Sequence, residues 1–263
     1  MALSVHPGYP LIVAANRDEF HVRETAAAAP WTLGGGQAVE VVAGRDLVAG
    51  GTWMGVSRAG RFAALTNYRG PVLGNADPPS RGALVTDFLG TDEPAAQYCE
   101  RLRAGGHRYN GFSLLAYDGV QMCCYSNRAD ALTHIGPGVH GLSNDLLNTP
   151  WPKVARGRGI LQRQLGGNVE PRTLVDPFFD MLNDDRIPED RELPDTGVGV
   201  ERERALAPMF VRGGDYGTRS STVVMLSADG QALVQERTFD SDTRETGRVE
   251  HSWNTNSTTS TSV

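Results

Sequence analysis

The chain has 263 residues, 40% of them hydrophobic, and carries a formal net charge of −6. That length is enough to bury a substantial core in one or two domains, and the acidic balance excludes a general nucleic-acid binder, which needs a basic surplus to neutralise phosphates. Three cysteines, Cys99, Cys123 and Cys124, make no disulfide framework and point to a reducing, cytoplasmic setting.

No stretch approaches the roughly 20 apolar residues of a membrane span, and the start lacks the charged-then-apolar pattern of a signal peptide. Alternation along a strand turns Cys123 and Cys124 to opposite faces. His6, His107, His134 and His140 show no ligand spacing, so no metal site is expected. Lys153 is the only lysine among 25 lysines and arginines, a usage typical of a GC-rich genome.

In chain order, Leu11–Ala15 reads as a buried strand, with Asn16, Arg17, Asp18 and Glu19 where it leaves the core. An irregular section follows through Ala26–Ala29, then a turn at Gly34–Gly36 and a short strand at Val39–Val42. Gly50-Gly51 suggests a bend or a close backbone approach. Strands at Thr52–Ser57 and Arg61–Asn67 flank a hairpin turn. After a loop over 71–79, Ser80 offers an N-cap for a helix burying Leu84, Val85, Phe88 and Leu89, and a second helix spans Ala95–Leu102.

Strands at Phe112–Tyr117 and Val120–Ser126 enclose the turn dipeptide Asp118-Gly119, and shorter ones follow at Thr133–Ile135 and Val139–Leu142. Helices are expected from Pro152 to Gly166 and over Thr173–Leu182, then an exposed loop over 185–204. A last hairpin joins Thr222–Ser227 to Gln231–Phe239. Trp53 and Trp151 read as packing residues. The order of elements is α+β, with a single domain over 1–240 and a disordered polar tail over 241–263.

Asn16-Arg17-Asp18-Glu19 after a hydrophobic strand resembles the signature of the NRDE family, also called the transport and Golgi organization protein 2 family. Further blocks in that family's order are Gly50-Gly51-Thr52-Trp53-Met54-Gly55, Ala64-Leu65-Thr66-Asn67-Tyr68-Arg69, Tyr109-Asn110-Gly111-Phe112, Gly141-Leu142-Ser143-Asn144 and Thr149-Pro150-Trp151-Pro152-Lys153-Val154. The family's eukaryotic members are linked to secretory-pathway organisation, lipid metabolism and haem mobilisation. The resemblance therefore allows a carrier of haem or an acyl-CoA-like ligand, with no other cofactor.

The order of polar residues also resembles, more remotely, the N-terminal-nucleophile hydrolases of the penicillin V acylase and bile salt hydrolase type. Those enzymes cut non-peptide amides and fold as a four-layer αββα sandwich. That resemblance implies catalytic roles for Arg17, Asp18, Asn67, Asn144 and Arg219, and substrate contacts from Asn16, Glu19 and Tyr68. Arg17 would lower the thiol pKa, Asp18 would orient the terminal amine, and Asn67 would donate to an oxyanion. In the hydrolases the acid lies a few residues beyond the arginine, so Glu19 competes with Asp18 for that role. No cysteine precedes Cys99. The expectation is a start lying several residues upstream, with a pseudoenzyme as the other reading.

Overall fold

In the computed structural model, which describes residues 1–34, 38–70, 78–167 and 170–255, two antiparallel sheets carry helices. The strands are β1 (Ala2–His6), β2 (Tyr9–Phe20), β3 (Thr25–Leu33), β4 (Val39–Asp46), β5 (Met54–Ser57), β6 (Phe62–Asn67), β7 (Phe112–Tyr117), β8 (Met122–Ser126), β9 (Ala131–Ile135), β10 (Gly138–Val139), β11 (Tyr216–Leu226), β12 (Gln231–Phe239) and β13 (Glu245–Asn254). The helices are α1 (Gly82–Leu89), α2 (Ala95–Arg103), α3 (Pro152–Leu165), α4 (Val175–Leu182) and α5 (Val200–Ala205). One sheet runs β10-β1-β2-β11-β12-β13, and the other is a meander from β3 to β9.

Side-chain alternation builds the layers. Along β2, Leu11 and Val13 join Val56, Phe62, Leu115 and Val224 in the core between the sheets, while Ile12 turns outward onto Leu161, Phe178 and Phe179 of α3 and α4. On the far face of the meander, Phe88 of α1 and Tyr98 of α2 cover Val41, Ala63 and Leu114. Helix, sheet, sheet and helix are thus stacked in that order, each interface sealed by buried apolar side chains.

Five expectations change. The strand at Leu11 does not end at Ala15: β11 pairs with β2 from Leu226↔Leu11 to Tyr216↔Phe20, so the Asn-Arg-Asp-Glu run lies inside a strand. Ala26–Ala29 is also strand, because β4 supplies a ladder and Glu236 Oε1 accepts from the Ala28 amide at 2.7 Å; pairing overrides the weak strand preference of alanine. Residues 245–254, expected in an unordered tail, form β13. The strand pairs with β12 throughout its length and buries Trp253, whose indole donates to the Arg58 carbonyl at 3.2 Å.

In the stretch 185–204, Glu203 of α5 is buried and accepts from the Thr196 amide at 2.8 Å, so this segment is anchored rather than a free loop. The strand expected at Val139–Leu142 is confined to Gly138–Val139. The glycine turn at 35–36, the loop over 71–77 and the tail beyond Thr255 lie outside the described residues. Gly51 does make a close backbone approach: a Cβ there would stand 2.5 Å from the Gly82 carbonyl carbon. That contact holds the start of α1, with Arg81 before it, against the strands.

Candidate functional site

A cavity of about 560 Å³ opens where the first sheet meets the meander. Its floor is the second half of β2. On one edge β2 is paired along its length by β11, but on the other β1 reaches only to Ile12. Ala14 to Glu19 line the cavity. Asn67 enters from the end of β6, Arg81 from before α1, Asn144 from the segment after β10, and Lys153 from the first turn of α3.

Of the residues singled out in the sequence, Asn16, Arg17, Asp18, Glu19, Asn67 and Asn144 share this cavity, whereas Tyr68 and Arg219 do not line it. Asn16 is committed to the scaffold. Its amide donates to the carbonyls of Leu182 and Met209, both at 2.8 Å, and its oxygen accepts from Ser221 at 2.6 Å.

Arg17 lies over the Trp53 ring at 4.1 Å, and its side chain is only 8% exposed. Glu19 stands 3.8 Å from it, longer than a hydrogen bond, and Nη1 is buried without a partner among the described residues. Burial holds its pKa below the usual arginine range, against the opposing charge of Glu19. Asp18 accepts from the Thr218 hydroxyl at 2.7 Å. Burial pushes its carboxyl up, while Lys153, that hydrogen bond, Arg69 and Arg17 pull the other way.

The side-chain amide of Asn67 has no hydrogen-bond partner among the described residues, while its carbonyl accepts from Asn144 Nδ2 at 3.0 Å. Arg219 sits in the bulge between Thr218 and Ser220. There its Nη1 donates to the carbonyls of Phe20, His21 and Arg23 at 2.9 to 3.1 Å. It holds the turn after β2 and, among the described residues, reaches the site through its field on Arg17. Tyr68 lies beneath Arg128 at 5.2 Å, and its phenol pKa is raised by burial and then by Asp145.

Two amines share the wall. The Met1 amino group donates to the His140 carbonyl at 2.9 Å, and burial, then Arg158, lower its pKa to about 5. Lys153 Nζ donates to the Leu206 carbonyl at 3.0 Å, and burial lowers its pKa to about 8. Sequence reasoning quoted Lys153 and Trp53 without assigning either to the site; being the only lysine was the signal available for the first. Arg158 carried none. No cluster of three His, Cys, Asp or Glu able to hold a metal ion occurs among the described residues, and no helix among them is long and apolar enough to cross a membrane.

The family model for Transport and Golgi organisation 2 matches residues 1–241. The chain is 39% identical over 249 residues to the Transport and Golgi organization protein 2 homolog of Bos taurus, covering 88% of this chain and 87% of that one. It is 38% identical over 252 residues to the Homo sapiens homolog, with the same coverage of each. The Drosophila melanogaster protein of that name is 27% identical over 256 residues, covering 88% of this chain and 87% of its own. By family model and by identity alike, the chain belongs to the transport and Golgi organisation 2 family.

Proposed function

We propose that this cavity is an amidohydrolase site of the N-terminal-nucleophile kind, cleaving the C–N bond of a small non-peptide amide. The observation that carries the reading is the convergence of Arg17, Asp18, Asn67 and Asn144 on one cavity from positions spread over 128 residues. The helix–sheet–sheet–helix stacking supports it as well.

In the proposed reaction a thiolate attacks the amide carbonyl, and the amine departs after taking a proton. Water then hydrolyses the thioester. Arg17, half-paired and buried, favours the thiolate. The uncommitted amide of Asn67 donates to the tetrahedral oxyanion, a contribution typically of about 2.7–4 kcal/mol. Asn144 acts through Asn67 by fixing its backbone. Residues 1–98 contain no cysteine, so the nucleophile has to be supplied for the reading to be tested. Ala2 faces Ile12 and Leu3 faces Leu11. Continued in that register, the fourth residue ahead of Met1 stands opposite Arg17.

The test is a chain lengthened by four residues ahead of Met1, the first a cysteine with a free amino group. Incubated with a panel of N-acyl amides, it is expected to release amine and to accumulate an acyl-enzyme detectable by mass. Serine in place of that cysteine should lower turnover and alanine abolish it. A lengthened chain that binds amides and neither acylates nor turns over defeats the reading. The three buried, unpaired cysteines suit a reducing compartment for such a thiol.

A carrier of haem or an acyl-CoA-like ligand is the rival. The charged lining, which includes Arg17, Asp18, Glu19 and Lys153, favours a small polar ligand over an extended apolar one. A saturable Soret shift near one equivalent of haemin would move the assignment to the carrier.

A further inference from the structure

Lys153 is the only lysine in a chain with 25 lysines and arginines, and it stands in the wall of the cavity rather than at the surface. Lysines are almost never fully buried unless paired. This one has no carboxylate within ion-pair distance among the described residues, and its single hydrogen bond goes to the Leu206 carbonyl at 3.0 Å. The same carbonyl accepts from Arg69 Nη2 at 3.1 Å. Two cations thus share one neutral acceptor. Lys153 also lies in the first turn of α3, directly after Pro152, where the helix presents its positive end.

All three features oppose a charge on the ε-nitrogen. The groups facing it are Asp18 on β2, Arg69 after β6 and Glu203 on α5. Arg158 one turn along α3 and the Met1 amine share the cavity. Asp18 and Glu203 favour the ammonium, but Glu203 is already bound to Arg69 at 2.8 Å and to Thr196. The pKa of about 8 agrees with this geometry, burial being its largest cause. An arginine would serve as well for charge or packing but has no nucleophilic amine at neutral pH.

We infer that Lys153 is a carbonyl-capturing amine, forming a reversible Schiff base with a small aldehyde or 2-oxo acid held in the cavity. The nitrogen lone pair adds to the carbonyl carbon as the C=O π bond breaks. Both hydrogens of the neutral amine pass to the carbonyl oxygen, which leaves as water as the C=N bond forms, so no oxidant or reductant is consumed. Asp18, the acid that Lys153 feels most strongly, is the neighbouring carboxyl through which a proton can reach that oxygen. Arg17, Arg81 and Arg158 in the same lining suit a ligand that also bears a carboxylate. The inference does not rest on amide hydrolysis, since it needs no thiol.

The experiment uses the full chain with glyoxylate as probe and sodium cyanoborohydride to trap the imine, followed by digestion and mass mapping. The chain offers two amines, Lys153 and the terminal one, so the map is unambiguous. The expected result is an adduct on Lys153 whose rate rises with pH through a midpoint of about 8. At pH 7 it should exceed the rate of Nα-acetyl-lysine by at least about tenfold. Glycolaldehyde, lacking the carboxylate, should label more slowly, and Lys153→Arg should remove the adduct. The profile on the unaltered chain decides the matter even if that variant fails to fold. A midpoint in the free-lysine range, equal labelling of unfolded chain, or an adduct confined to the terminal amine overturns the inference.

Discussion

The side-chain amide of Asn144 donates to the backbone carbonyl of Asn67 at 3.0 Å, and the Asn144 carbonyl accepts from the Arg69 amide at 2.6 Å. The two asparagines are therefore not equivalent. Asn144 spends its amide on holding the strand end, whereas Asn67 keeps its own uncommitted among the described residues. In the cysteine-lengthened chain, Asn67→Ala is expected to lower kcat about 10²–10³-fold, as loss of an oxyanion donor does. Asn144→Ala should cost about 1 kcal/mol of stability, the usual net worth of one hydrogen bond, with a smaller kinetic effect. Paired kinetics and denaturant melts check both.

Arg219 separates the two resemblances from the geometry. Its guanidinium ties three carbonyls of the turn after β2. Arg219→Ala should therefore act on folding, at about 1–3 kcal/mol, seen as a lower midpoint in urea. A variant with unchanged stability and a kcat loss as large as that of Asn67→Ala would restore a catalytic role.

How far the sequence was legible follows from what each signal encodes. The continuous apolar run Leu11–Ala15 located the first half of β2, because a strand buried on two faces leaves such a run, while the packing partners on either face came only with the fold. The end of β2 was not legible. Its charged half pairs with β11, some 200 residues away, and long-range pairing leaves no local trace. β13 was hidden for the same reason: its alternating exposure suits an edge strand, and its polar composition resembles a tail. Motif order gathered six of the eight site candidates into one cavity. It missed that Arg219 had been diverted by a bulge, which spacing cannot report.

Glu203 and Arg69 form the most enclosed ion pair near the site, 2.8 Å apart with side chains 3% and 7% exposed. Arg69 also lies over Trp151 at 4.7 Å. Removing one partner leaves a buried charge, so Glu203→Ala should cost about 3–5 kcal/mol. The double variant Glu203→Met, Arg69→Met should recover much of that loss. Urea melts of the three chains test the coupling.

Lys153 makes stability depend on pH with a definite sign. Its folded pKa, about 8, lies below its ordinary 10.5, so the unfolded chain binds more protons between those values. Stability attributable to this residue therefore rises from about pH 8 to about 10.5 and is flat below and above. Subtracting the melting profile of Lys153→Met should isolate that rise, and a difference profile flat through the window would refute it.

Asp18 sets where that window lies. It is the first of the charges holding Lys153 up, ahead of the opposing Arg69 and the supporting Glu203. Lys153 in turn is the first of the influences pulling the Asp18 carboxyl down against burial. Asp18→Asn preserves an acceptor for the Thr218 hydroxyl, which now bonds Oδ1 at 2.7 Å, so β2 and β11 should stay in register. The substitution removes the negative charge alone. Lys153, still buried and still sharing the Leu206 carbonyl with Arg69, then loses its main electrostatic support. Its titration midpoint should fall below about 8, and imine trapping at pH 6 should become faster than in the parent chain because more of the amine is neutral. If Asp18 also passes the proton to the departing water, the plateau rate at high pH should drop in the same variant. Rate–pH profiles of the two chains read both quantities at once, and an unmoved midpoint would mean that Asp18 and Lys153 are not coupled across the cavity.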